Sequence, residues 1–396
     1  MSAYTRYAAA VLLAGLAVGC AAGPEAPQPP PSLRATPGGH AGAPAPAERA
    51  EPPGPAEPDK QPFTLVASGD VLASYATVLS TAQQDASGTG YDYRPMLKGI
   101  KPVISSADLA LCQLATPLGP LEGPFASGRD FLAPPQVATA LKDAGFDSCA
   151  TASAHSLDRG AEGVGRTLEA LDTVGLRHAG TARNVAEASR PALLTAGGGA
   201  RVAQLSYTLG VQGGGRAAAA PWAVNLADEQ RIIADARAAR RAGADLVVVS
   251  AHWGTEYRTE PDPQQTELAR VLTASETDGR PDIDLIVGSR ARTPQPYEKV
   301  NGTWVVYGLG NQIAGTMKKP QGDWGTIARF HFAPPEQDGE RWQVTRAEYV
   351  PQLITREEPL RTVDLGRTSG HAKERKAITA AVLSRDAAAE GLKQGK

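Results

Sequence analysis

The sequence predicts one large α/β domain of layered build, and three observations carry that prediction. Short apolar and β-branched runs recur along most of the chain, segments of helical periodicity lie between several of them, and polar residues gather just after the runs. A length of 396 residues accommodates a single large domain of this class.

Taken in order, Phe63-Thr64-Leu65-Val66-Ala67 reads as a strand, and Ser68-Gly69-Asp70 as the turn that ends it. Comparable buried strands are expected at Ala107–Cys112, Phe146–Thr151, Val202–Tyr207, Asp245–Ala251, Ile283–Val287 and Trp304–Tyr307. Helices are expected at Gln136–Ala144, Gly163–Val174 and Asp228–Ala242. In the last, Ile232, Ile233, Ala236 and Ala239 recur at helical spacing and Gly243 follows as a C-cap. From Arg329 to about Val363 the pattern turns β-like, with Phe330 and Phe332 alternating, and reads as the closing strands of the same domain. The domain is thus placed at 62–366, and residues 367–396 read as a charged, Ala-rich tail, a surface helix or disordered. The chain carries no internal repeat and no Walker or dinucleotide loop.

Ahead of the domain, Arg6 precedes an apolar run from Ala8 to Val18, too short for a mature transmembrane helix, which needs about 20 residues. A signal peptide over 1–20 fits. The small residues before Cys20 resemble a lipobox, in which the thiol takes a diacylglycerol group; an ordinary secretory signal cut near Ala21 is the alternative. A diacyl anchor holds a protein at about 0.8 kcal/mol per buried CH₂ without any spanning helix. The expected location is therefore extracytoplasmic, lipid-anchored to the cell membrane. Residues 21–61, rich in Pro, Ala and Gly, bury too little apolar surface to fold and read as an extended tether. In that compartment Cys112 and Cys149 are either paired or buried as free thiols; spacing alone leaves both open.

With 40 Lys and Arg against 42 Asp and Glu, the net charge of -2 argues against a general nucleic-acid partner. The chemistry instead gathers at strand ends, where ligands collect in folds of this class. Five segments stand out: Ser68-Gly69-Asp70, Gln113-Leu114-Ala115-Thr116-Pro117, Ala154-His155, His252-Trp253-Gly254-Thr255-Glu256-Tyr257, and Gly288-Ser289-Arg290-Ala291-Arg292-Thr293-Pro294-Gln295-Pro296. Tyr307-Gly308-Leu309-Gly310-Asn311 follows in register. In order and spacing these segments resemble the CapA family of capsule-synthesis, or poly-γ-glutamate capsule, proteins (PGA_cap domain), relatives of the calcineurin-like metallophosphoesterases.

The resemblance implies a layered metallophosphoesterase-like sandwich and, for the family, a divalent metal centre. It also implies that Asp70, His155 and His252 stand at metal-ligand or catalytic positions, with Glu256 as an auxiliary. Departures from the pattern are equally specific. Gln113 stands where the family has Asn or His, Ala115 replaces a glutamate, Ala154 replaces an asparagine, and Arg290 and Arg292 replace a His-x-His pair. A guanidinium stays protonated and offers no lone pair to a metal. This reads as a degenerate member whose centre is dismantled, with Arg290, Arg292 and Gln113 as candidate ligand-binding residues. In an extended segment the two arginines would project to one face and could take a carboxylate or phosphate; intramolecular ion pairs to Asp70 or Glu256 are the alternative.

The implied role is in synthesis, export or anchoring of an anionic surface polymer, within an envelope complex. Two rivals remain: a metal-dependent phosphoesterase or amide hydrolase with a reduced site, and a non-catalytic scaffold with a vestigial pocket. His252 and Glu256 are expected in the pocket and Trp253 in packing, while Asp158 is expected to start a helix.

Overall fold

Strands that carry apolar side chains on both faces must be covered on both, and that requirement organises this chain into layers. The computed structural model describes residues 60–212, 215–337 and 340–396. Its strands are β1 (Phe63–Val71), β2 (Leu109–Leu114), β3 (Ser148–Ala150), β4 (Arg177–Ala179), β5 (Ala192–Thr195), β6 (Arg201–Thr208), β7 (Leu246–His252), β8 (Glu276–Thr277) and β9 (Arg280–Pro281). They continue as β10 (Leu285–Ser289), β11 (Tyr297–Val300), β12 (Thr303–Val306), β13 (Asn311–Ile313), β14 (Trp324–Ala333), β15 (Gln343–Ile354), β16 (Thr362–Asp364) and β17 (Leu392–Gln394).

Two mixed sheets result. In the first, β1 to β4 run parallel side by side, β14, β15 and β16 extend the sheet antiparallel beyond β1, and β13 and β17 pair with β1 and β15. The second has the order β11-β12-β10-β7-β6-β5, parallel at its centre and antiparallel at both edges; β8 and β9 form a separate hairpin.

The strand alternation shows which face meets which layer. On β1, Phe63, Leu65 and Ala67 enter the core between the sheets with Val202, Leu246, Val248 and Leu285, while Val66 and Val71 pack with helical residues such as Leu141 and Leu168. On β7, Val247 and Val249 turn the other way, against Ile232 and Ala236 of helix Glu229–Arg241 and Leu272 of helix Pro263–Ala274. The layers are helices, sheet, sheet, helices.

Helix Gln136–Ala144 keeps its expected bounds, the second helix begins earlier, at Gly160, and Asp228 caps the third by accepting from Arg231 N–H. Helix Pro263–Ala274 was not read from the sequence, although Asp262 and Gln265 form a capping box at its start. The tail needs correction. Helix Ala372–Val382 sends Ile378 and Val382 into the inter-sheet core, and β17 pairs with β15, so 367–396 is an integral part of this sheet. Its charged residues take the outer side of a helix whose apolar stripe is buried, which averages out in composition.

Cys112 and Cys149 are directly opposite each other on β2 and β3 and are joined, with Cα atoms 4.4 Å apart. Among the described residues no helix is long and apolar enough to cross a membrane. Cys20, the leader 1–20 and the tether to residue 59 lie outside the described residues.

Candidate functional site

The parallel strands of both sheets deliver their carboxyl ends to one region, and backbone devices aim the side chains there. Strand β1 does not turn at Ser68 as expected; it continues to Val71 through a register shift between Ala67 and Asp70. A bulge of this kind re-aims the residues that follow it. Gly69 permits it, because a Cβ there would sit 2.1 Å from the Gly310 carbonyl oxygen, and Gly310 O accepts from Asp70 N–H at 3.0 Å.

Asp70 is fully buried. Its Oδ2 accepts from Arg290 N–H at 2.9 Å, while Oδ1 has no hydrogen-bond partner among the described residues and lies 3.8 Å from His252 Nε2. Burial pushes its carboxyl up to about 6, against the opposing pull of Arg292 and of the Arg290 N–H.

His252 ends β7, opposite Ser289 of β10. Its Nδ1 faces Ala154 N–H and the Thr208 hydroxyl, each at 3.3 Å. An amide can only donate, so Nδ1 is the acceptor and the ring proton sits on Nε2, toward Asp70. Burial, reinforced by Arg292 and Arg290, holds the imidazole well below its usual range. The 3.8 Å approach is therefore a neutral ring beside a carboxylate, too long for a direct hydrogen bond.

His155 is buried and held by Asp158, whose Oδ2 lies 2.9 Å from Nδ1 and also accepts from Phe131 N–H at 2.8 Å. The expected helix-start role of Asp158 is thus corrected: Arg159 occupies the N-cap position, and Asp158 orients His155 and fastens the loop carrying Phe131. The Phe131 ring covers His155 at 4.4 Å between centroids, and Gln212 Nε2 approaches His155 Nε2 at 3.5 Å.

Arg290 and Arg292 reach the site by a route the sequence did not predict. The segment is not extended: both residues have positive φ, 79° and 60°, a conformation that non-glycine residues seldom adopt. Tyr257 N–H donates to Ala291 O at 2.7 Å, and Asp70 holds Arg290 N–H, so the turn is fixed from both sides. Arg290 Nη1 donates to Gly254 O, and Arg292 Nε lies 3.4 Å from Glu256 Oε1. The intramolecular alternative is therefore realised for Arg292 with Glu256, whereas Asp70 meets the backbone of Arg290. Only 6% of the Arg292 side chain is exposed, and its Nη1 has no hydrogen-bond partner among the described residues. Burial works against that charge, but Asp70, Tyr75 and Glu256 outweigh it and raise the Arg292 pKa above the ordinary arginine value.

These groups open on a cleft of about 390 Å³ lined by His155, His252, Glu256, Arg290 and Arg292 together with Gln212. Gln113 does not line it. Its Nε2 donates to Ala152 O at 3.1 Å, and the residue borders a small internal gap with Ser68 and Ser289. Trp253 is buried and donates to Tyr307 O at 2.8 Å, which locks the loop carrying His252 and Glu256. Sequence reasoning missed Gln212, Thr208 and Tyr75; each follows or ends a strand, but none stands in a recognisable motif. A second cavity, of about 380 Å³ beside β4 and β5, contains none of the expected residues. Among the described residues, no three His, Cys, Asp or Glu side chains are grouped so as to hold a metal ion.

A family model described as "Bacterial capsule synthesis protein PGA_cap" matches residues 64–316, which includes the whole cleft. The "PGA biosynthesis protein CapA" of Bacillus subtilis is 31% identical over 173 residues, 44% of this chain and 44% of that protein. A "Probable polyglutamine synthesis accessory protein" of Mycobacterium tuberculosis is 30% identical over 175 residues, 42% of this chain and 44% of that protein. The chain thus spans less than half the length of these curated relatives. Among solved structures, the calcineurin-like phosphoesterase YfkN of Bacillus subtilis superposes on 81% of this chain and 97% of its own, at 12% identity and a TM-score of 0.42.

Proposed function

The chain belongs to the bacterial capsule synthesis protein family PGA_cap, and from that premise we propose that it is a non-hydrolytic, anion-binding member working on surface-polymer synthesis, export or anchoring. One observation carries the reading: a nine-tenths buried guanidinium, Arg292, lines the cleft with Nη1 unpartnered among the described residues. A desolvated guanidinium binds a carboxylate or phosphate far more strongly than an exposed one. The residues present do not fit a metal pair: Asp70 spends one oxygen on Arg290 N–H, His252 spends Nδ1 on Ala154 N–H, and two guanidinium charges border the cleft.

Changing both Arg290 and Arg292 to alanine is expected to weaken binding of inorganic phosphate and of poly-glutamate by about 30-fold or more. Calorimetric titration of the full chain checks this, and unchanged affinity in the double variant overturns it.

One contact favours the reduced-site hydrolase as a second reading. Asp158 orients His155 as carboxylates orient metal-binding histidines. Elemental analysis after exposure to Mn²⁺, Zn²⁺ and Fe²⁺ separates the two: near-stoichiometric metal that is lost in His252→Ala supports the hydrolase.

The protein is further proposed to lie outside the cytoplasm, held to the membrane by a diacylglyceryl group on Cys20 and docked in an envelope complex. The Cys112–Cys149 bond supports an oxidising compartment. Cys20→Ala is expected to move the protein from the membrane fraction to the soluble fraction; retention in the membrane would sink the anchor.

A further inference from the structure

We propose that the anion taken by this cleft belongs to a zwitterion: a free α-amino acid, or a chain end that presents an ammonium and a carboxylate on one carbon. The inference rests on the anion-binding reading and asks which anions the site prefers.

The charges lining the cleft balance. Two guanidiniums, Arg290 and Arg292, face two carboxylates, Glu256 and Asp262. A uniform polyanion gains at the arginines and loses at the carboxylates. A ligand carrying both signs gains at each.

The order of charges also matters. Arg292 is nearly enclosed, whereas 47% of the Glu256 side chain is exposed, and the two are 3.4 Å apart. Opposite charges are therefore adjacent, one deep and one at the rim, as the carboxylate and ammonium of an α-amino acid are adjacent across a single carbon. The carboxylate is assigned to the side of the cleft formed by Arg292, whose guanidinium is enclosed with Nη1 buried and without a partner among the described residues. The ammonium stays at the rim against Glu256.

Asp262 contributes by its field. Its Oδ1 accepts from Gln265 N–H and its Oδ2 from the Thr255 hydroxyl, which fixes the carboxylate at the head of helix Pro263–Ala274. Acylating the ligand's nitrogen removes the positive charge that Glu256 and Asp262 would meet, so an amide-linked interior residue of a polymer should be excluded in favour of its free end.

Calorimetric titration of the full chain with glutamate, N-acetylglutamate and inorganic phosphate, at neutral pH and low salt, tests this. Glutamate is expected to bind about ten-fold more tightly than N-acetylglutamate, and Glu256→Gln to reduce that ratio to about two-fold or less. Glu256 is at the rim and the change is isosteric, so an unaltered Tm shows that the variant has folded. Equal affinity for glutamate and its acetyl derivative, or tighter binding of the latter, overturns the proposal. If phosphate and N-acetylglutamate bind while the ammonium adds nothing, the anion site stands and only the zwitterion fails. If none of the three binds, both readings fall.

Discussion

Replacing Cys112 and Cys149 together by alanine is expected to lower the unfolding free energy by about 4 kcal/mol, since the bond closes a loop of 37 residues in the unfolded chain. The two residues are opposite each other on neighbouring parallel strands beneath the Asp70 end of β1 and β2. The folded sheet already places them together, so most of the loss comes from the freer unfolded state. Urea denaturation of the oxidised protein and of the double variant measures it. A loss of about 1 kcal/mol or less would mean that the unfolded chain is already compact in this region.

A second large effect belongs to Asp70. Its carboxyl is raised from 3.8 to about 6 by burial, so the folded protein holds this proton more tightly than the unfolded chain does. The stability tied to it is fully present below about pH 4 and is lost as pH rises through about 6, a change of about 3 kcal/mol. Asp70→Asn removes the titration while keeping an oxygen for Arg290 N–H. Relative to the native protein, the variant is expected to gain about 3 kcal/mol between about pH 4 and pH 7.5. A difference that stays constant with pH would show that Arg292 and Arg290 compensate the buried charge completely.

Much of the fold was legible because buried parallel strands are written as unbroken apolar runs. Val247-Val248-Val249 feeds two cores at once and has no polar face to disguise it. Short elements escaped notice for the opposite reason. Strands β4, β13 and β17 have three residues each, and they exist because a neighbour offers a free edge. The tail failed on composition: a few buried side chains, Ile378, Val382, Ala387 and Leu392, join the core within a charged segment.

At the site, the sequence by itself determined the inventory. It supplied Asp70, His155 and His252, the Glu256 loop, and arginines where a histidine pair was expected, because side-chain chemistry is written in residue identity. Only the tertiary structure decided what these residues do to one another. The bulge that turns Asp70 inward, the left-handed turns of Arg290 and Arg292, and the use of Asp158 as a brace for His155 all depend on partners far away in the chain. Gln113 shows the same division: its amide suits ligand binding, yet packing between the sheets commits it to the Ala152 carbonyl. Burial is a property of the assembled layers, so the raised carboxyl of Asp70 and the neutral ring of His252 were set only when the two sheets closed over them.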